Sequence, residues 1–319
     1  MSDWLTLAAD SRDSLRLPNL SASAENSPLA QAYFKFYGID FENQYEGLSH
    51  YFGVFPSAGF DIAAHVFIPR NAEKTAFLYH GFYDHAGLLK HAIQYCLDRH
   101  FAVVVYDLPG HGLSSGKRAE IDRFDQYLQV LHDAFYAVAQ FDLPKSKIAL
   151  AQSTGGAILM TYLLQGGNAF DKVVLLAPLV RPKGWRWGKP LHQLIGRVIP
   201  SLPRRWAENS GDAEFCAWLR EVDVLQCKVL PMSWVNALKL WEPAFNRLPS
   251  SLKSVLVVQG DADDTVDWRF NLPVIREHFP NAVFCHLNSA RHHLVNESEA
   301  IRARIWSQVD GYLATGSES

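Results

Sequence analysis

The sequence predicts an α/β fold, a mainly parallel sheet of eight strands with helices on both faces and a helical cap inserted late in the chain. Three observations carry this reading. Apolar, β-rich runs recur along the chain, separated by spacers long enough for crossover helices. Several runs are almost continuously apolar, as parallel strands covered on both faces are. The alternation breaks once, over the 75 residues between Pro178 and Ser254, where Pro182, Pro190, Pro200, Pro203, Pro231, Pro243 and Pro249 punctuate short helical stretches.

Taken in order, residues 1–45 are polar, with Ser, Asn and Pro gathered in SASAENSP, and read as an N-terminal preamble packed on the surface of the core. YFGVF (51–55) and IAAHVFIP (62–69) flank PSAGFD, a hairpin signal. TAFLYHG (75–81), FAVVVYD (101–107), KIALAQS (147–153), KVVLLAP (172–178), SVLVVQG (254–260) and AVFCHL (282–287) supply the remaining strands. Over 121–141, Phe124, Leu128, Leu131, Phe135 and Val138 recur every three or four residues, so this spacer is a helix with one apolar face. The core therefore comprises residues 46–178 and 251–319, with the cap at 179–250.

With 319 residues, 48% of them hydrophobic and 20% charged, the chain can bury a large core, which excludes disordered and collagenous classes. A net charge of −3 is too near neutral for the whole surface to attract nucleic acid. The charge is unevenly placed. Arg181, Lys183, Arg186, Lys189, Arg197, Arg204 and Arg205 fall within 181–206 without an acidic residue, leaving −10 for the remainder. Six of the nine tryptophans lie between 185 and 241. Cys96, Cys216, Cys227 and Cys285 are widely spaced in a chain that needs no staples, so reduced thiols are expected. MSDWLTLAAD has neither a basic start nor an apolar core of a secretory signal, and no apolar run approaches 18 residues, so a soluble cytoplasmic protein is expected.

The chemistry is concentrated at strand ends. KIALAQ runs into Ser153-Thr154-Gly155-Gly156 and then the apolar AILMTYLLQ, the strand–turn–helix context of a nucleophile elbow. The residues two before and two after the serine are Ala151 and Gly155, an A-x-S-x-G departure from G-x-S-x-G in which both residues are still small. Taken alone, Ser153 is equally well read as a helix N-cap. Two later segments favour the nucleophile. Acidic residues in QGDADDTVD follow one strand and Ser289-Ala290-Arg291-His292-His293 follows the last, in the order Ser, Asp, His that this arrangement uses. A serine hydroxyl is a weak nucleophile at neutral pH, so a histidine must take its proton and a carboxylate must hold the imidazole.

HGFYDHAG (80–87), YDLPGHGLSSG (106–116), AQSTGG (151–156) and the pair QGDADDTVD with SARHHLVNE stand in an order that resembles the monoglyceride lipase and lysophospholipase group of α/β-hydrolases, within the serine aminopeptidase S33 family. These motifs spread over residues 80–297. The resemblance implies the α/β-hydrolase fold and selects Asp263, three residues after Gly260, as the catalytic acid. It selects His292, after the Ala-Arg pair, as the base, with Glu297 trailing. Asp261, Asp264 and Asp267 are left as turn or capping residues, and His293 should point away. An oxyanion hole needs two backbone N–H donors. One is Thr154, following the nucleophile; the resemblance places the other at Phe82. By the same resemblance His80 orders its loop and Asp107 is structural.

Other chemistries fail on spacing. Around Gly116-Lys117 a phosphate loop needs Gly at 111 and Ser or Thr at 118, where His111 and Arg118 stand. No G-x-G-x-x-G follows a strand and no H-E-x-x-H is present, so no cofactor, nucleotide or metal is implied. The cap supplies apolar residues for a lipid tail, foremost Trp185, Trp187, Leu191 and Trp206, with Leu194, Ile195, Ile199, Phe215, Trp218, Trp234 and Trp241 in the same pool; ordinary packing is the alternative for each. For the basic run 181–206, peripheral contact with an anionic membrane, contact with a phosphate head group and a solvated helical face all stay open. The expected activity is hydrolysis of carboxylic esters such as monoacylglycerol or lysophospholipid through Ser153, His292, Asp263 and an acyl-enzyme. Proline-type aminopeptidase and thioesterase chemistry are the alternatives. An Asp-nucleophile dehalogenase is disfavoured by the serine, and a non-catalytic binding protein by the intact trio.

Overall fold

The sheet begins with a hairpin. In the computed structural model, which describes Trp4 and residues 17–21, 27–187 and 199–315, β1 (Ser49–Ser57) pairs antiparallel with β2 (Phe60–Ile68). Ala58 and Gly59 join them at φ 51° and 85°, the left-handed pair that a two-residue hairpin turn requires. The strands continue as β3 (Lys74–Tyr79), β4 (Phe101–Tyr106), β5 (Lys147–Gln152), β6 (Lys172–Leu176), the short β7 (Ser201–Pro203) and β8 (Val229–Pro231), then β9 (Leu256–Gly260) and β10 (Val283–Leu287). Eight of them form one sheet in the order β1-β2-β4-β3-β5-β6-β9-β10, parallel from β4 to β10, with β2 antiparallel to both its neighbours. All eight sequence-predicted strands are present; the central ones are apolar runs covered from both sides, whereas the edge strands β1 and β10 are partly exposed. In β4 all six residues are buried.

The helices are α1 (Pro28–Tyr37), α2 (Lys90–Leu97), α3 (Asp125–Val138), α4 (Thr154–Leu164), α5 (Ala213–Glu221), α6 (Met232–Phe245), α7 (Trp268–His278) and α8 (Glu299–Ala314). They cover both faces, and side-chain alternation in the strands feeds two apolar layers. Val104 joins Tyr127, Leu131 and Ile158 on one face, whereas Val103 and Val105 join Ile93 and Ile305 on the other. Every residue of α4 is buried, as expected of a helix that is almost wholly apolar or small around its circumference.

Two expectations change. Part of the polar preamble is core: Ser27 caps α1 through its side chain, Pro28 opens the helix, and Tyr33 and Phe34 are fully buried together with Ile39 and Phe41. The aromatic residues after Pro28 override the polar composition before it. The β6–β9 excursion holds α5 and α6 but also the antiparallel pair β7–β8, which the proline spacing had suggested was helical throughout. This excursion is tied to the core where Trp241 stacks on Phe124 at 4.6 Å and donates its indole N–H to Thr161 Oγ1 at 3.0 Å.

Strand order reverses at β3. The chain moves from β3 to β4 on one side and returns to β5 on the other, so the loops after β3 and β5 diverge and leave a crevice between them.

Candidate active site

Ser153 sits at that crevice, on the turn from β5 into α4, with φ 52° and ψ −111°. A non-glycine residue in this region is strained, and the surroundings impose it. The Ser153 N–H donates to Leu176 O at 2.9 Å, and its carbonyl accepts from Ala157 and Leu179, both at 3.1 Å. A Cβ on Gly155 would lie 2.6 Å from Tyr79 O, so only glycine lets the helix start this close to β3. Ala151 is fully buried within β5, so the sheet accommodates its methyl where the commoner motif has hydrogen.

The structure brings His292 and Asp263 to Ser153. His292 Nε2 is 2.9 Å from Ser153 Oγ, and His292 Nδ1 is 2.8 Å from Asp263 Oδ2. With Nδ1–H donating to the carboxylate, Nε2 is left to accept the serine proton. Asp263 Oδ2 also accepts from Gln259 Nε2, and Oδ1 accepts from the N–H groups of Thr265 and Val266. Burial opposes ionisation of both partners, yet their mutual attraction outweighs it: the Asp263 carboxyl is held below its ordinary range and the His292 imidazole above its own. Gln152 Nε2 donates to His292 O at 2.9 Å. Glu297, completely buried, accepts from the N–H groups of Arg291, Gly211 and Ser298, tying the His292 loop to the excursion. Asp261 accepts from Ser289 N, Asp264 pairs with Lys183, and Asp267 precedes α7.

The loop after β3 closes the other side. A Cβ on Gly81 would lie 3.3 Å from Ser153 Cβ. His80 donates from Nδ1 to Gly81 O and accepts at Nε2 from Leu108 N, a neutral tautomer favoured by burial, which lowers its pKa. Asp107 accepts from the N–H groups of Ala86 and Leu113 and stands in the turn after β4. Phe82 and Thr154 both border the same cavity as Ser153 and His292. Three features of this loop escaped the sequence reading. Tyr83 has φ 72°. Asp84 takes the second histidine, His293 Nε2 lying 3.0 Å from Asp84 Oδ1; burial opposes ionisation of Asp84, but His293, with His80 and Arg204, outweighs it and keeps the carboxyl well below its ordinary range. His85 Nε2 is 3.0 Å from Asp223 Oδ2 in the excursion, and Tyr37 of α1 donates to Asp223 Oδ1 at 2.7 Å.

A cavity of about 450 Å³ opens over Ser153. Its apolar wall includes Leu179, Trp185, Leu202, Met232, Trp234 and Val235. Of the foremost pocket residues expected, Trp185 lines it and anchors its N–H on Glu242 Oε2 at 3.1 Å. Trp187 does not: it is 78% exposed. Trp206 does not either, since its ring lies against the Arg204 guanidinium and packs toward the opposite core layer. Leu191, with Leu194 and Ile195, lies outside the described residues. The basic run is also partly engaged by the chain itself. Arg181 pairs with Glu242 at 2.6 Å and Arg204 lies against two rings, both half-buried, whereas Lys183, in a surface pair with Asp264, Arg186 and Arg205 are exposed. Among the described residues no helix is long and apolar enough to cross a membrane, and no cluster of His, Cys, Asp or Glu is arranged to hold a metal.

Residues 70–299 match the family described as serine aminopeptidase, S33. The chain is 27% identical over 198 residues to a monoacylglycerol lipase of Mycolicibacterium smegmatis, a match covering 58% of this chain and 69% of the relative. Its fold resembles the monoacylglycerol lipase of Paleococcus ferrophilus, with a TM-score of 0.66 and 17% identity over 80% of this chain and 98% of the other. It also resembles a soluble variant of the Saccharomyces cerevisiae monoglyceride lipase solved with a substrate analogue, with a TM-score of 0.68 and 16% identity over 82% and 94% of the two chains. With the family match spanning most of its length, the chain belongs to the serine aminopeptidase, S33 family and is a hydrolase of the α/β-hydrolase fold.

Proposed function

We propose that the protein is a serine hydrolase of carboxylic esters bearing a medium or long acyl chain, of the monoacylglycerol or lysophospholipid kind. The observation that carries this reading is the continuous relay Asp263–His292–Ser153 opening into a cavity with an apolar wall. Ser153 Oγ attacks the ester carbonyl as His292 Nε2 takes its proton, and the N–H groups of Phe82 and Thr154 receive the developing oxyanion. Collapse breaks the ester C–O bond, and His292 returns the proton to the leaving alcohol. Water then attacks the acyl-enzyme, losing its proton to His292, and the acid departs with Ser153 restored.

The similarity to monoacylglycerol lipases supports an ester substrate. So does the cavity itself. An aminopeptidase holds its substrate's terminal ammonium with a free carboxylate, but the carboxylates bordering this cavity are engaged, Asp84 by His293 and Asp264 by Lys183. A fluorophosphonate probe tests the reading: it labels Ser153, and Ser153→Ala abolishes both labelling and ester turnover. Labelling at another residue, or esterase activity that survives Ser153→Ala, overturns it.

A further inference from the structure

Arg204 has no role in the relay, yet it borders the cavity and its setting is built. The guanidinium carbon lies over the rings of both Tyr83 and Trp206, 4.0 Å from each centroid, so two aromatic faces hold it in place. One edge is also fixed, Nη1 donating to Gln226 Oε1 at 2.6 Å and to Cys227 O at 3.2 Å. Among the described residues no carboxylate makes an ion pair with it. The two carboxylates that face it at longer range are committed elsewhere, Asp84 to His293 and Asp223 to His85. A part-buried cation held rigidly without a paired anion is unfavourable, and burial accordingly draws the Arg204 pKa below that of a free guanidinium while leaving it charged.

A second observation ties this cation to the loop that carries the proposed Phe82 donor. Tyr83, the ring beneath Arg204, immediately follows Phe82 and holds a strained positive φ. Gln226 bridges the two, since its Nε2 donates to Tyr83 O at 3.1 Å while its Oε1 accepts from Arg204. The loop that carries the Phe82 N–H and the residue that presents the guanidinium therefore share one hydrogen-bonded frame.

We propose that Arg204 is the anion-binding element of the substrate site and that the enzyme selects esters carrying a net negative group, a phosphate monoester or a carboxylate, over neutral and zwitterionic ones. The proposal rests on the serine-esterase reading. The remaining guanidinium edge donates to the anion, a charge-assisted contact made where competing water is largely excluded. The acyl chain occupies the apolar wall formed by Trp185, Met232 and Trp234.

The test uses the full chain and four esters of one fatty acid: the acylglycerol, the acylglycerol 3-phosphate, the acylglycerol phosphocholine and the acyl ester of a hydroxy acid. Wild-type kcat/KM is about tenfold or more higher for the phosphate or the hydroxy-acid ester than for the other two, in keeping with one charge-assisted hydrogen bond, and whichever of the two leads identifies the anion. Arg204→Gln lowers that preference about tenfold. Equal rates on all four esters, or an undiminished preference in Arg204→Gln, overturns the proposal. Because the variant also loses ring stacking, a wild-type measurement runs beside it. Glycerol 3-phosphate or a short hydroxy acid competes with hydrolysis of a neutral ester at concentrations where glycerol does not, and inhibition no stronger than glycerol's overturns the proposal independently of any variant. If wild type turns over none of the esters, the esterase reading fails first and takes the proposal with it.

Discussion

The Phe82 ring stacks on the Trp234 indole with centroids 3.8 Å apart and planes inclined by 20°. One residue supplies a proposed oxyanion donor and the other belongs to α6 of the β6–β9 excursion, so the segment that walls the pocket also supports the donor loop. Trp234→Ala therefore does more than enlarge the pocket. The stacked pair alone contributes about 0.5–1.5 kcal/mol beyond its buried area. We expect kcat for long-chain esters to fall about tenfold and KM to rise, with fluorophosphonate labelling of Ser153 slowed but retained. Unchanged kcat with raised KM would show that α6 only binds the chain.

The acid limb of the pH–rate profile reports His292. Neutral imidazole is the base, and its pKa is raised above the ordinary 6.5. Activity is therefore full well above that raised value and falls as pH drops through it, so the midpoint of kcat/KM lies above 6.5. Asp263→Asn removes the carboxylate that raises it: kcat falls by about 10⁴, and the residual activity has its midpoint shifted to lower pH. A wild-type midpoint below 6.5 would contradict the relay.

Glu297 offers a stability test at a distance from the reacting atoms. Its carboxylate receives three N–H donors from Arg291, Gly211 and Ser298. Glu297→Ala leaves the half-buried Arg291 and Ser298 donors unpaired, at about 1–3 kcal/mol for each one left without water, while the N–H of exposed Gly211 can turn to solvent. Chemical denaturation should show a loss of about 2 kcal/mol or more. Loosening of the His292 loop should lower kcat as well.

Acid sensitivity has a second, structural source. His50 Nε2 lies 3.0 Å from His65 Nδ1, and His50 Nδ1 lies 3.1 Å from Glu42, within the aromatic layer under α1. Burial lowers the pKa of both rings, that of His65 strongly. The folded chain keeps them neutral while the unfolded chain protonates near 6.5, so stability is present above 6.5 and declines as pH falls below it. Each such proton steepens the decline by up to about 1.4 kcal/mol per pH unit. His65→Phe, measured by denaturation between pH 7 and 5, should flatten that slope even if it lowers stability at neutral pH.

The sheet and the relay were legible because they rest on strong local signals. KIALAQ, KVVLL and LVVQG are covered on both faces and read as strands without ambiguity; Ser153 and Asp263 each follow such a run within three residues, and His292 follows the partly exposed edge strand VFCHL within five. The pocket was less legible. Trp185 and Trp187 are two residues apart in one W-R-W stretch, yet one is buried at the cavity and the other faces solvent. Their difference arises from packing against Glu242, 57 positions away, which no local pattern encodes. The Asp84–His293 and His85–Asp223 pairs are invisible for the same reason: each joins segments more than 130 residues apart. Tyr83, Asp84 and His85 all lie inside the HGFYDHAG motif, but the motif names none of their distant partners.

The hydrogen bond from Leu179 N to Ser153 O joins the first residue of the excursion to the peptide of the nucleophile itself. Pocket and reactive turn are in this sense wired in series. Transplanting another excursion into this sheet would alter substrate choice without disabling the serine only if the junction is cut beyond Leu179, keeping Ala177, at φ 45°, and its neighbours with the recipient. The natural splice point for exchanging specificity thus lies inside the excursion and not at the end of β6.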